Sequence, residues 1–308
     1  MTVTTKPILV SGSHRSGTTW VGKMIAASPS VGYIHEPFNP VHRPGICTAT
    51  FPQWFMYVTE ENEAPFYEPL RRTLDFRFAL GAELPAIRSA RHVGRMGKNW
   101  YNFTVNRLRH CTPLMKDPIA IFSCEWLARR FDMQVIMMIR HPAAFASSLR
   151  RLNWGHNFNG LLQQPLLMRD HLAPFASEIE EFAKKKQDIL DQAILLWRMM
   201  HHSILRYQQA HQDWIFLRHE DVSADPVHHF LHVFKCLNLD FSAKVRTTIE
   251  DYTNASNPSD AQKGHLLSRR DSKANIKSWE KKLAKEEITR IRTKVEDISH
   301  AFYSDADW

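Results

Sequence analysis

The sequence has no hydrophobic run of the ~18–20 residues that a membrane span requires. Its opening residues, Met1 to Lys6, are polar and lack an apolar signal core. Together these absences predict a cytoplasmic protein with no transmembrane segment. Cysteine is scarce. Cys47, Cys111, Cys124 and Cys236 lie far apart, with no Cys-x-x-Cys pair and no histidine at metal-ligand spacing. A disulfide framework and a zinc finger are thereby excluded, and structural thiols in a reducing compartment are expected. Internal repeats and low-complexity tracts are missing too. Acidic residues are outnumbered by basic ones, 32 to 40, leaving a net charge of +8. An anionic partner suits that balance, although part of the excess belongs to ordinary solvated surface. No basic stripe interleaved with aromatics occurs, so nucleic acid is not the expected partner.

The richest stretch lies near the start: Pro7-Ile8-Leu9-Val10-Ser11-Gly12-Ser13-His14-Arg15-Ser16-Gly17-Thr18-Thr19-Trp20-Val21. Ile8, Leu9 and Val10 read as a buried strand. Gly12 and Gly17 permit a tight turn. Trp20, Val21, Met24 and Ile25 then show helical spacing, so a helix starts near Gly17. Strand, small-residue loop and helix start make an anion cradle of backbone N–H groups and positive helix end. Arg15 adds a full charge, and Ser16, Thr18 and Thr19 add hydroxyls. A phosphate is the expected guest.

Two further absences narrow the chemistry. The Gly12-x-x-x-x-Gly17 spacing resembles a nucleotide-hydrolase phosphate loop, yet the lysine position of that motif is Thr18. No apolar strand ends in the aspartate that would hold Mg²⁺. The best one, Val135-Ile136-Met137-Met138-Ile139, ends in Arg140, which suits a second phosphate instead.

Beyond the loop, strands and helices alternate. Strands are expected at Pro7–Ser11, Val31–Ile34, Pro113–Lys116, Gln134–Ile139 and Trp214–Leu217. Helices are expected from Gly17 to about Ala27, and over Ile119–Arg130, Ala143–Leu152, Ser177–His211 (with a break), Asp225–Leu237 and Lys281–Phe302. Phe38 to Arg109 reads as irregular, with one helix near Glu68–Ala79, and Asn153–Pro174 reads as a further loop segment. The pattern predicts one α/β domain over residues 1–308, a central parallel β-sheet with both faces covered by helices. Parallel sheets bind ligands beyond the carboxyl ends of their strands. Arg15, Glu36, Lys116 and Arg140 all follow or end strands there.

At this point the residues resemble a family. Arg15-Ser16-Gly17-Thr18-Thr19-Trp20 is similar to the 5′-phosphosulfate loop of sulfotransferases that use 3′-phosphoadenosine 5′-phosphosulfate (PAPS). Arg140-His141-Pro142 with Ser148 is similar to their 3′-phosphate site. The resemblance covers about Pro7 to Leu237 plus a late loop, and implies the P-loop-nucleotide-hydrolase-like sulfotransferase fold. It implies an enzyme that moves a sulfuryl group from PAPS to an acceptor. Such transfer needs cations at the leaving phosphate, for which Arg15 and Lys116 are the candidates, and a base for the acceptor proton. Glu36 is the candidate base and His35 the runner-up. The cytosolic branch carries a loop lysine, and a histidine two residues after the lysine of strand three. This sequence has Arg15 and Pro118 there. It looks closer to the tyrosylprotein, bacterial and carbohydrate branches, and unlike a membrane-anchored Golgi enzyme.

The resemblance also implies weaker cofactor contacts. Trp20 could stack on adenine or face the core. His219, in Leu217-Arg218-His219-Glu220-Asp221, could flank adenine or sit on the surface. Ser272 and Lys273, ahead of Trp279, could close on the 3′-phosphate, helped by Arg269, Arg270 and Lys277. No metal ligand is expected. Residues 38–109 and 153–176, rich in aromatics, are expected to build the acceptor pocket. Arg71, Arg72, Arg88, Arg91 and Arg95 could meet an acidic acceptor or water. A hydroxyl on a carbohydrate, glycolipid or natural product is the first expectation for the acceptor, and a peptide tyrosine the second. A kinase and a non-catalytic nucleotide-binding protein stay open as rivals, as does the oligomeric state.

Overall fold

The computed structural model describes residues 6–185, 187–258 and 269–308. Residues 1–5 of the polar opening lie outside them. Strand β1 (Ile8–Gly12) is buried along its whole length, as a strand flanked by neighbours on both sides must be. With β2 (Val31–His35), β3 (Thr112–Lys116), β4 (Gln134–Ile139) and β5 (Ile215–Arg218) it forms a parallel five-stranded sheet in the order β2-β3-β1-β4-β5. The register sets Val10 against both Lys116 and Ile136, and His35 against Lys116. The residues just past β1, β2, β3 and β4 therefore converge on one edge of the sheet.

Alternation along the strands splits the core in two. Leu9, Met115, Val135 and Met137 face helices α4 (Cys124–Phe131), α5 (Pro142–Leu152), α7 (Ile189–Ala210) and α10 (Lys285–Ser299). Ile8, Val10, Leu114, Ile136 and Met138 face α1 (Thr18–Ile25), α8 (Pro226–Cys236) and α9 (Ala243–Thr253). Gly12, at φ +133°, lies so close to β4 that an added Cβ would sit 2.2 Å from the Met138 carbonyl oxygen. Glycine is required where the chain leaves the sheet to form the loop. Cys47, Cys111 and Cys124 are buried free thiols, and Cys236 is an exposed one.

The expected helix over 177–211 breaks into α6 (Ala176–Lys184) and α7, whose start is capped by the Asp188 carboxylate accepting from the Asp191 N–H. Helix α2 (Tyr67–Leu74) is shorter than expected. The final helix is trimmed to Lys285–Ser299, and α9 was not expected. The largest correction is α3 (Ala90–Leu108), inside a segment read as irregular. Ser89 caps it by accepting from the His92 N–H, and Phe103 is its one buried residue. A helix with one buried side chain has no apolar stripe facing the core. Phe103 packs edge-on against Phe76 and Phe78, which brings α3 against β2 at the sheet edge. Coverage of this kind blocks pairing by another strand.

Candidate active site

The loop after β1 holds Arg15 at φ +67° and Gly17 at φ +93°. The Ser16 N–H donates to the Ser13 carbonyl at 3.2 Å and closes the turn. Helix α1 then starts at Thr18, and Gly17 at its N-cap offers no side-chain acceptor. Its first N–H groups are left for a ligand. The hydroxyls of Ser13 and Ser16 and Nδ1 of His14 are buried without a protein partner. Buried polar atoms seldom go unmatched, so several around one loop mark a polar guest.

Cations gather beside the loop. Nε of Arg15 donates to the Ser148 hydroxyl at 3.1 Å. Arg140 donates to the Arg15 carbonyl, and its own carbonyl accepts from the Trp197 indole N–H at 2.8 Å. Nε of Arg140 has no partner. Burial pulls Arg15 down to about 10, and Arg140, Arg151 and Arg270 push the same way. Burial also lowers Arg140, against the attraction of Glu220. Glu220 already accepts from the His141 N–H at 3.1 Å and the Tyr303 hydroxyl at 3.0 Å. Guanidinium groups that depress one another in this way favour a bound anion.

The carboxylate stands across the sheet edge. Glu36, at φ +43°, follows β2, and its N–H donates to the Lys116 carbonyl at 2.9 Å. The fully buried Lys116 ammonium pairs with Oε1 of Glu36, and Asn39 donates to Oε2 at 2.9 Å. Burial works against the Glu36 charge, but Lys116 and the hydrogen bonds outweigh it and hold Glu36 below the ordinary value. Lys116 is itself lowered, because burial outweighs Glu36 there. The two shifts pull the pair in opposite senses. The direct ion pair and the second donor from Asn39 favour the charged pair at neutral pH. His35 lies 3.9 Å from Glu36, and burial, with help from Lys116, drops it to about 4. Asp117 accepts from the N–H groups of Phe38 and Ile119 at 2.7 and 3.0 Å, which pins the chain beyond β2 and β3.

One cavity of about 1030 Å³ connects these groups. Arg15, Gly17, Thr18, Thr19, Trp20, Glu36, His35, Arg140, His219 and Ser272 line it. Lys116 reaches it through Glu36, and Ser148 stands behind Arg15. The buried Ser16 and the exposed Lys273 are not among its walls. Ser272 spends its hydroxyl on the Ser223 carbonyl at 2.8 Å. Trp20 packs edge-on against His219 and Phe230. His219 is buried against Gly17, where an added Cβ would stand 2.7 Å from its Nδ1, and burial drives it well below its ordinary value. The surface alternative for His219 is therefore corrected.

Asn39, Trp54 and Phe55 come to the walls from residues 38–109, and Trp154, His156 and Asn157 from residues 153–176. Arg71, Arg72, Arg88, Arg91 and Arg95 are not wall residues. Sequence reasoning passed over His14, Arg151, Tyr252 and Asn275. The position of His14 inside the loop was the one available signal.

The family model described as "Sulfotransferase family" matches residues 7–243. No curated protein matches the chain. Among solved structures, the sulfotransferase domain of the Synechococcus PCC 7002 olefin synthase is similar at a TM-score of 0.51 and 14% identity, covering 98% of this chain and 96% of its own. A sulfotransferase domain from the curacin biosynthetic pathway aligns at 0.48 and 14%, covering 95% and 98%. Sulfotransferase STF9 from Mycobacterium avium aligns at 0.46 and 12%, covering 97% and 77%.

Proposed function

The chain belongs to the sulfotransferase family and is a transferase of sulfuryl groups, and from that premise we propose that it sulfates a hydroxyl on an acceptor with an apolar or ring-shaped face, using PAPS as donor. The observation that carries this reading is a half-buried cluster of guanidinium groups, with unmatched buried donors beside it, sharing one cavity with the Glu36–Lys116 pair. An anion with phosphate at both ends fits such a donor set. The loop of Arg15, Ser16, Gly17, Thr18 and Thr19 would hold the 5′ end. Arg140 and Ser148 would hold the 3′-phosphate, with Arg270 and Ser272 nearby. Trp20 and His219 would flank the base. When bound, PAPS supplies a sulfuryl group on a phosphate leaving group.

The chain's own residues do the rest. Glu36 accepts the acceptor's proton, since it is ionised at neutral pH and lines the cavity. Lys116 and Arg15 meet charge that develops on the leaving phosphate. Asn39 holds Glu36 in place through Oε2. Trp54, Phe55 and Trp154 give the acceptor side flat apolar walls, which suit a sugar ring, a glycolipid or an aromatic natural product. In this reading residues 1–308 act as one domain, and segments 38–109 and 153–176 supply the acceptor pocket.

Calorimetry tests the donor. 3′-Phosphoadenosine 5′-phosphate should bind well ahead of ATP. ATP binding with no preference for the 3′-phosphate would defeat the reading. Transfer of labelled sulfate from PAPS into a fractionated extract would then identify the acceptor.

A further inference from the structure

Helix α3 (Ala90–Leu108) presents a composition the active site does not use. From Leu84 to Lys116 the chain has no aspartate or glutamate, yet it carries Arg88, Arg91, Arg95, Lys98, Arg107 and Arg109. Among the described residues, Arg91, Arg95, Lys98, Arg107 and Arg109 make no ion pair. The same helix exposes Val93, Trp100, Tyr101 and Leu108, the last two by 62% and 74%. Leu80 and Leu84, just before it, are exposed as well.

The arrangement around the helix is ordered. At 3.6 residues per turn, Val93, Trp100, Tyr101 and Leu108 fall in one sector on the flank of the helix, about 60–160° round from the buried Phe103. Arg107 borders that sector on one side, and Arg91, Arg95 and Lys98 border it on the other. An apolar strip with aromatic residues beside a row of cations is the pattern of helices that lie in a bilayer interface. Tryptophan and tyrosine favour the headgroup level.

We propose that α3 docks this chain on an anionic lipid surface, with Trp100, Tyr101 and Leu108 entering the headgroup layer and the flanking cations meeting lipid phosphates. Charge complementarity selects this occupant. A second copy would set unpaired cations against unpaired cations, since the stretch has no carboxylate to answer them. Nucleic acid would answer the cations but leave the exposed apolar strip without a partner. The proposal stands whether or not the acceptor is itself a lipid.

Flotation of the full chain with vesicles is the test. Phosphatidylcholine vesicles containing phosphatidylglycerol should carry the protein upward, and pure phosphatidylcholine vesicles should not. Binding should weaken as salt rises. Each cation near such a surface is worth about five-fold in partitioning. Joint Arg91→Glu, Arg95→Glu and Lys98→Glu substitution should therefore lower binding by at least ~100-fold. Trp100→Ser with Tyr101→Ser should weaken it at every salt concentration. Circular dichroism and affinity for 3′-phosphoadenosine 5′-phosphate should be unchanged in both variants, because none of these side chains lines the cavity. The proposal is overturned by equal binding to neutral vesicles, or by charge-reversed protein that still floats. Oligonucleotide binding, or dimerisation abolished by these variants, overturns it equally when vesicle binding is absent.

Discussion

Glu36→Gln puts the proposed chemistry at greatest risk. The substitution keeps the size and one acceptor oxygen but removes the charge. Lys116, fully buried, then loses its counterion while keeping a hydrogen-bond partner. Removing one member of a buried pair outright costs about 3–5 kcal/mol. The amide retains part of the contact, so a smaller loss is expected, with a fall in melting temperature of several degrees. The rate effect should be larger. Loss of a positioned base slows transfer by about 10²–10⁴-fold, equivalent to roughly 3–5 kcal/mol in the barrier. Arg15, Arg140 and Ser148 are untouched, so affinity for 3′-phosphoadenosine 5′-phosphate should be unchanged. The assay is single-turnover transfer of labelled sulfate with donor saturating, alongside calorimetry with the product nucleotide. Full transfer activity in a folded Glu36→Gln protein would refute the base assignment and move it to His35 or to water. A loss of nucleotide affinity matching the loss of rate would show that Glu36 organises the donor site instead.

Arg140→Ala removes a charge-assisted phosphate contact and should weaken binding of 3′-phosphoadenosine 5′-phosphate by about 1.5–3 kcal/mol; unchanged affinity by calorimetry would take Arg140 out of the site. Gly17→Ala places a methyl group against His219 at a backbone angle of φ +93° and should cost about 1–2 kcal/mol, read as a lower melting temperature together with weaker nucleotide binding; wild-type values would mean that the loop relaxes freely. Stability should fall with acid. Burial drops His14 and His201 to about 3 and His156 and His171 to about 4. Unfolded chains take up those protons from about pH 6.5 downward and the native state does not, so stability is complete above 6.5 and declines toward 4. Asp117, raised by burial to about 7, and Glu220, also raised by burial, work in the other direction but are outnumbered by the histidines. Urea unfolding at pH 7.5 and 5.5 checks the sum, and equal midpoints would contradict it.

The sheet was legible because each of its strands is a short apolar run, and β4 fell at the expected residues. The loop of Arg15 to Thr19 was legible because glycine and small polar residues at those positions have few other uses. Pairings across long sequence separations were not legible. Nothing in the one-dimensional pattern sets the Arg15 guanidinium on Ser148, or Lys116 on Glu36. His219 was left between base contact and surface because burial of a histidine depends on what Gly17 leaves open beside it. Helix α3 escaped because its apolar strip is exposed and its inner face carries a single buried side chain, so the usual core-facing stripe is missing.

Arg15 and Glu36 share an uncommon property: both place a full side chain on left-handed backbone, at φ +67° and +43°. Such positions cost about 1–3 kcal/mol each and persist because the surroundings enforce them. Glycine would relax either one. A library selected on heat tolerance alone should therefore enrich replacements at Arg15, whereas Glu36 is kept by its pair with the buried Lys116, and so discard one of the groups assigned to transfer. Improvement of this protein by directed evolution would have to select for turnover in every round.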